Sequence, residues 1–226
     1  MYKQENKTIV VKIILSIILA AFLLVNGCAS TRTGPPLSKD ELRKLEEEIE
    51  LLATEIYIND SVMVWKSGFN VLSIMPEGVF KQRAVIGALI EDNTEDIAGF
   101  YKLPTEEGCV VIGIMDGYIA DLAGIRQGDI IKEIDGKKIK DSGHVNFEAG
   151  RSSTVIVERA GTRLSFNVIP KEMPYVRIRL KQTSKINAYA KFTGIEFTSG
   201  MVHFAEDDDE LAIIMGHELA HLTSKH

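Results

Sequence analysis

The chain has 226 residues, with 26 Lys and Arg against 32 Asp and Glu, two Cys, and 45% hydrophobic residues. This excludes a disulfide scaffold, a collagen-like chain and a disordered one. The formal charge is −6; Lys3, Lys7 and Lys12 against Glu5 make the first 27 residues +2, leaving −8 for the rest. So acidic a surface repels a phosphate backbone, and nucleic acid is not an expected partner. At about 100 to 200 residues per domain, the length allows one medium domain or two small ones.

Behind the basic leader, residues 13–25 are apolar apart from Ser16. That run falls short of the roughly 20 apolar residues a membrane span needs and suits a secretory signal; an uncleaved N-terminal anchor is the alternative. Leu24-Val25-Asn26-Gly27-Cys28 resembles the lipobox of bacterial lipoproteins, although Asn26 is bulkier than the usual residue there. The resemblance implies a signal peptide over residues 1–27, cleaved before Cys28, and lipidation of that cysteine. It also implies a lipid anchor in the bacterial cell envelope on the periplasmic side, with the outer membrane favoured by Ala29. More than one acyl chain is needed for firm anchoring. Cys109 then has no partner for an intramolecular disulfide and is expected to be a small buried hydrophobe.

Residues 28–37 read as a polar linker, in which Pro35 and Pro36 forbid helix. Ser38 followed by Glu41 forms a capping-box signature, and Leu42, Leu45, Ile49, Leu52 and Ile56 recur at steps of three and four. An amphipathic helix over about residues 39–57 follows. Its heptad spacing allows a partner helix, but packing on its own domain is the simpler expectation. Residues 59–83 show no clean periodicity and receive no assignment.

Cys109 to Ile114 is an apolar run of strand length, Ala120 to Gly124 a brief helix ended by glycine, and Asp135-Gly136 a tight turn between strands. Two further strands flank Ala160-Gly161. Gly108-x-Val110-x-Ile112, then Ala120-x-x-Ala123-Gly124-Ile125-x-x-Gly128-Asp129-x-Ile131-x-x-Ile134-Asp135-Gly136, and Arg159-x-Gly161 together resemble a bacterial PDZ domain over residues 85–170. Tyr118-Ile119 stands where that family usually has Ser-Pro. PDZ domains capture a peptide C-terminus by strand addition, with loop amides on the carboxylate. Mapped by resemblance, peptide binding falls to Gly108, Cys109 and Val110, with Glu107 beside them. The segment after Ile139, containing Gly143, Asn146 and Gly150, implies that the helix forming the second groove wall is shortened by about a turn.

Asp207-Asp208-Asp209 precede Glu210-Leu-Ala-Ile-Ile-Met-Gly-His217-Glu218-Leu219-Ala220-His221-Leu222. Acids at a helix start cap free amides and oppose the macrodipole. On that helix His217 and His221 lie about 40° apart, and Leu211, Met215, Leu219 and Leu222 form a stripe on the opposite side. His-Glu-x-x-His is the zincin pattern: His217 and His221 are the candidate Zn²⁺ ligands and Glu218 the candidate catalytic base.

Together with Asn187-Ala188-Tyr189-Ala190 and Gly194-Ile195-x-Phe197-Thr198, this motif resembles the gluzincin metallopeptidases of the HtpX and CAAX-prenyl-endopeptidase group, over residues 173–226. The resemblance implies a third zinc ligand, a glutamate on a later helix, and a strand beside the active-site cleft that pairs with extended substrate. The chain is therefore expected to be an N-terminal portion of a longer enzyme. His226 points about 140° away from His221 on a continuing helix, and His203 is expected to be a surface residue.

The expected fold class is α+β: an N-terminal helix, a PDZ-like partly open β-barrel, then a truncated zincin-like catalytic domain with a strand pair and the metal-binding helix. The expected function is a membrane-anchored zinc endopeptidase in envelope protein quality control, acting on polypeptide substrates. The alternative is a non-catalytic lipoprotein with a peptide-binding PDZ module.

Overall fold

The computed structural model describes residues 37–223. The signal peptide, Cys28 and His226 lie outside them. The chain divides into two units between Lys44 and Leu45. In the described part of the first, the Ser38 amide donates to the Glu41 carboxylate (2.7 Å) and the Glu41 amide to the Ser38 hydroxyl (3.2 Å), closing the expected capping box.

Helix α1, Lys39–Ser73, has 35 residues and runs well past the expected end near residue 57. Its buried positions from Thr54 onward are Ile58, Asp60, Val64, Ser67, Gly68, Phe69 and Leu72. Polar and small residues occupy several of these contact positions, which hides the helical period from an apolar count. Gly68 is there for close approach: a Cβ at that position would lie 2.0 Å from Cδ1 of Ile178.

The largest sheet has six strands in the order β2-β3-β4-β6-β7, with β5 paired to β4, all antiparallel. The strands are β2 (Ala88–Asp92), β3 (Cys109–Ile114), β4 (Ile130–Ile134), β5 (Lys137–Lys138), β6 (Ser153–Arg159) and β7 (Thr162–Val168). Short helices α2 (Glu95–Tyr101) and α3 (Ile119–Ala123) lie between them in sequence. The sheet is not closed, as the partly open barrel expectation requires. Strand β3 is fully apolar because both its faces are covered. Cys109 and Val111 join Ile131, Val155 and Val157 in one buried cluster. Val110 and Ile112 join Ile58 of α1 and Ile97 of α2 in another.

Strand β1 (Gln82–Val85) pairs with β8 (Lys171–Pro174). A third sheet has the order β10-β11-β9, from β9 (Ile178–Lys181), β10 (Ala188–Lys191) and β11 (Gly194–Thr198). The expected strand pair β10–β11 is antiparallel, and β9 adds a third strand parallel to β11. Helices α4 (Ser199–Phe204) and α5 (Asp208–Thr223) follow. Val64, Phe69 and Leu72 of α1 share a core with Ile195, Phe197, Leu211, Met215 and Leu219. The C-terminal segment thus gains its core from the second half of α1, which a stretch so short requires.

One expectation is corrected at the second groove wall. Only a three-residue 3-10 turn, Ser142–His144, stands between β5 and β6, so the wall is not a helix shortened by a turn. Gly143 and Gly150 deprive the segment of helix formers, and side chains hold it instead. Asp92 accepts from the Ser142 amide (2.6 Å), and Arg83 donates to the Val145 carbonyl (3.1 Å).

Candidate active site

Helix α5 begins as its acids require. Asp207 Oδ1 accepts from the amides of Asp209 and Glu210, both at 3.0 Å, satisfying donors that a helix start leaves open. Leu211, Met215 and Leu219 are fully buried against α1 and β11. That orientation leaves His217 and His221 exposed on the opposite side, with Nε2 atoms 3.0 Å apart and rings edge to face at 4.7 Å between centroids.

Glu218, between them in sequence, is 8% exposed, and its Oε2 accepts the Ala190 amide of β10 at 2.7 Å. Strand β10 is the outer strand of its sheet. One hydrogen bond therefore joins the metal-motif helix to the sheet edge beside it, and sequence spacing carried no sign of it. On the same hairpin Glu196 accepts from Lys191 Nζ (2.8 Å) and from the Tyr189 hydroxyl. The Lys191 ammonium, then the Tyr189 hydroxyl, hold the Glu196 carboxyl below the usual range.

Two Zn–N bonds of about 2.0–2.1 Å at a tetrahedral angle need nitrogens about 3.3 Å apart. The 3.0 Å separation of the imidazole nitrogens fits that requirement. Among the described residues no group of three or more His, Cys, Asp or Glu side chains is placed to hold a metal. His203 is exposed, as expected, and its Nε2 lies 3.1 Å and 3.0 Å from the two carboxylate oxygens of buried Asp60 on α1.

The peptide-binding assignment to Gly108, Cys109 and Val110 is corrected. Strand β3 is paired on both edges: Cys109 lies opposite Asp92 and Ile131, and Val110 opposite Glu91 and Ile130. Both side chains are fully buried. No backbone edge remains there for an added strand. The outer strands of the sheet are β2 and β7; β2, next to β3, is preceded by Val85-Ile86-Gly87, where Gly87 has φ +75° and its missing Cβ makes room for Tyr118. A cavity of about 590 Å3 is lined by residues 83–91, which include Ala88 to Glu91 of β2, with Ser142, Val145 and Phe147 among its other lining residues. The sequence signal was a glycine between apolar residues just before a short strand.

Burial, with added repulsion from Asp92, Asp141 and Glu91, pushes the Cys109 thiol from 9.0 up to about 12. The unfolded chain ionises this thiol from about pH 8.5. Stability is therefore unaffected by it below that pH and falls as pH rises toward the folded value, because only the unfolded state releases the proton. A thiol reagent at pH 8 should leave Cys109 unmodified in the folded protein and modify it in urea, read on the Cys109 peptide by mass spectrometry. Equal labelling rates in both conditions would contradict this burial.

Residues 78–154 match the PDZ domain and residues 154–226 match Peptidase family M48. Strands β6 and β7 fall within the second match, yet they complete the six-stranded sheet. A probable periplasmic serine endoprotease DegP-like of Hahella chejuensis is 27% identical over 53% of this chain and 27% of its own length. A protein of that name from Brucella suis is 31% identical over 41% of this chain and 19% of its own length. The chain thus spans about a quarter or less of these relatives. The HtrA3 PDZ domain bound to a phage-derived ligand is 22% identical over 42% of this chain and 91% of that one, with a TM-score of 0.36. No helix among the described residues is long and apolar enough to cross a membrane. The chain joins a PDZ domain, matched over residues 78–154, to a segment of Peptidase family M48, matched over residues 154–226.

Proposed function

We propose that this chain belongs to a zinc-dependent endopeptidase of the bacterial cell envelope, anchored by lipid at Cys28, that hydrolyses polypeptide bonds and recruits substrate through its PDZ edge strand. The observation that carries the reading is the convergence of His217 and His221 Nε2 atoms at 3.0 Å, with Glu218 on the intervening turn beside an outer strand. His217 and His221 would hold the ion, and a carboxylate from outside the described residues would be the third protein ligand. Zinc, when bound, lowers the pKa of water and polarises a scissile carbonyl.

The rest of the work falls to the chain's own groups. Glu218 takes the proton of the attacking water at its carboxylate and passes it to the departing amine. Its hydrogen bond to Ala190 fixes the carboxylate beside β10. The unpaired edge of β10 offers backbone groups to an extended substrate, which is how a strand is recruited to a sheet. The periplasmic names of the DegP-like relatives support an envelope location.

Zinc titration by calorimetry tests this without measuring activity. The protein should bind one zinc per chain, and His217→Ala or His221→Ala should weaken binding by at least about 100-fold, the loss of one of few ligands. Equal binding by the wild type and a His217→Ala, His221→Ala double variant would overturn the metal site. A non-catalytic peptide-binding lipoprotein would then be the reading that stands.

A further inference from the structure

Two unpaired strand edges face one cleft. β2 ends the six-stranded sheet and β9 ends the three-stranded one. Both line the cavity of about 590 Å3, whose lining includes Ala88 to Glu91 of β2 and Ile178 and Arg179 of β9. A neighbouring cavity of about 250 Å3 is lined by Leu89 and Glu91 of β2 and by Ile178, Arg179 and Leu180 of β9. Trp65 of α1 lines both.

The two faces of β2 differ. Ala88 and Ile90 pack with the cluster that contains Val145 and Phe147, whereas Leu89 packs with the cluster that contains Ile58 of α1. A polypeptide added to this edge alternates its side chains in the same way. One set would meet the apolar residues Val145 and Phe147. The other set would meet the side of the cleft on which β9 lies.

That side is basic. Ile178 and Leu180 pack into the core around Phe197, so Arg179 and Lys181, and Arg177 just before the strand, take the opposite face, and all three are exposed. Their spacing of two residues repeats every 6.6 Å or so, the repeat of alternate side chains on an extended chain. Arg177 and Arg179 line the cleft and make no ion pair among the described residues. Arg83, a third cation of the lining, stacks over Tyr175 at 4.8 Å. Glu91 is the opposing charge in the cleft. Burial, then the neighbouring Asp92, raises its carboxyl above the usual range, which weakens that opposition.

We infer that the cleft between β2 and β9 captures an extended polypeptide carrying acidic side chains at alternate positions, and that Arg177 and Arg179 set this preference. The inference rests on the reading that β2 receives polypeptide, and adds the class of polypeptide received. It also places the captured segment against the sheet whose strand β10 is bonded to Glu218 of α5, the helix that carries the histidine pair, so recruitment and cleavage would meet at one sheet.

The test uses fluorescence anisotropy with two labelled decapeptides ending in valine, one with glutamate and one with lysine at the second, fourth and sixth positions from the C-terminus. The wild-type chain should bind the glutamate peptide about tenfold more tightly at low salt, from two or three exposed charge pairs. The Arg177→Glu, Arg179→Glu double variant should reverse the order while melting like the wild type, since both side chains are exposed. Equal binding of the two peptides, or an unchanged preference in the double variant, overturns the charge preference and leaves polypeptide capture intact. Binding of neither peptide overturns capture at β2 and the inference with it.

Discussion

Glu218→Gln should, on the proposed function, reduce hydrolysis of an unfolded polypeptide by about 10²- to 10⁴-fold in the zinc-loaded protein, the usual contribution of a positioned acid–base group. The substitution is informative because it separates chemistry from structure. Glu218 is buried, and its Oε2 accepts the Ala190 amide. Glutamine keeps an acceptor oxygen at the same reach and loses only the ability to take a proton. Zinc affinity should therefore stay near the wild-type value, because the imidazoles of His217 and His221 are untouched. Glu218→Ala should behave differently, freeing the Ala190 amide and speeding its hydrogen exchange, which the glutamine variant should leave slow. The observations together check the role: cleavage of unfolded protein retained by Glu218→Gln would remove the residue from the chemistry.

Asp129→Ala should destabilise the protein by about 3–5 kcal/mol, measured by urea denaturation, the loss expected when one partner of a buried ion pair is removed. Asp129 is 1% exposed. Its two carboxylate oxygens accept from Nε (2.6 Å) and Nη2 (2.7 Å) of Arg159, and Oδ2 also accepts the Arg126 amide at 2.8 Å. Arg159 further donates to the Gly124 carbonyl at 2.8 Å, so one side chain ties the loop after α3 to strand β6. Removal of the carboxylate strands a guanidinium and an amide together. The surface pair between Arg163 and Glu133 is the control: Glu133→Gln should cost about 0–1 kcal/mol. Similar losses in the two variants would show that the Asp129 pair is not the structural tie described.

Much of this molecule was legible in its sequence because the signals were local. The capping box at Ser38 and Glu41, the acidic start of α5, the Asp135-Gly136 turn and the apolar run of β3 each depend on neighbours within a few residues. The histidine pair is legible for the same reason: i and i+4 on a helix share a face whatever the helix packs on. The stripe Leu211, Met215 and Leu219 is buried as its spacing requires.

What the sequence left open involves partners far apart in the chain. The second half of α1 lacks an apolar period because it touches several surfaces at once: Ile58 serves the large sheet, and Phe69 and Leu72 serve the core around Phe197. That β3 is an inner strand was hidden from the sequence for a related reason. The glycine-led apolar strand β3 has the composition of a binding strand, and only pairing shows that β2 and β4 occupy both its sides.

By itself, then, the sequence determined the helix and strand segments with local punctuation and the face the two histidines share. The tertiary structure alone decided that β3 is covered on both edges while β2 is an outer strand, that Glu218 is held by Ala190, and that His203 is paired with Asp60. The physical reason is range. Capping, turn chemistry and helical phase act over three or four residues, whereas a free edge or a buried acceptor exists only once distant segments have packed.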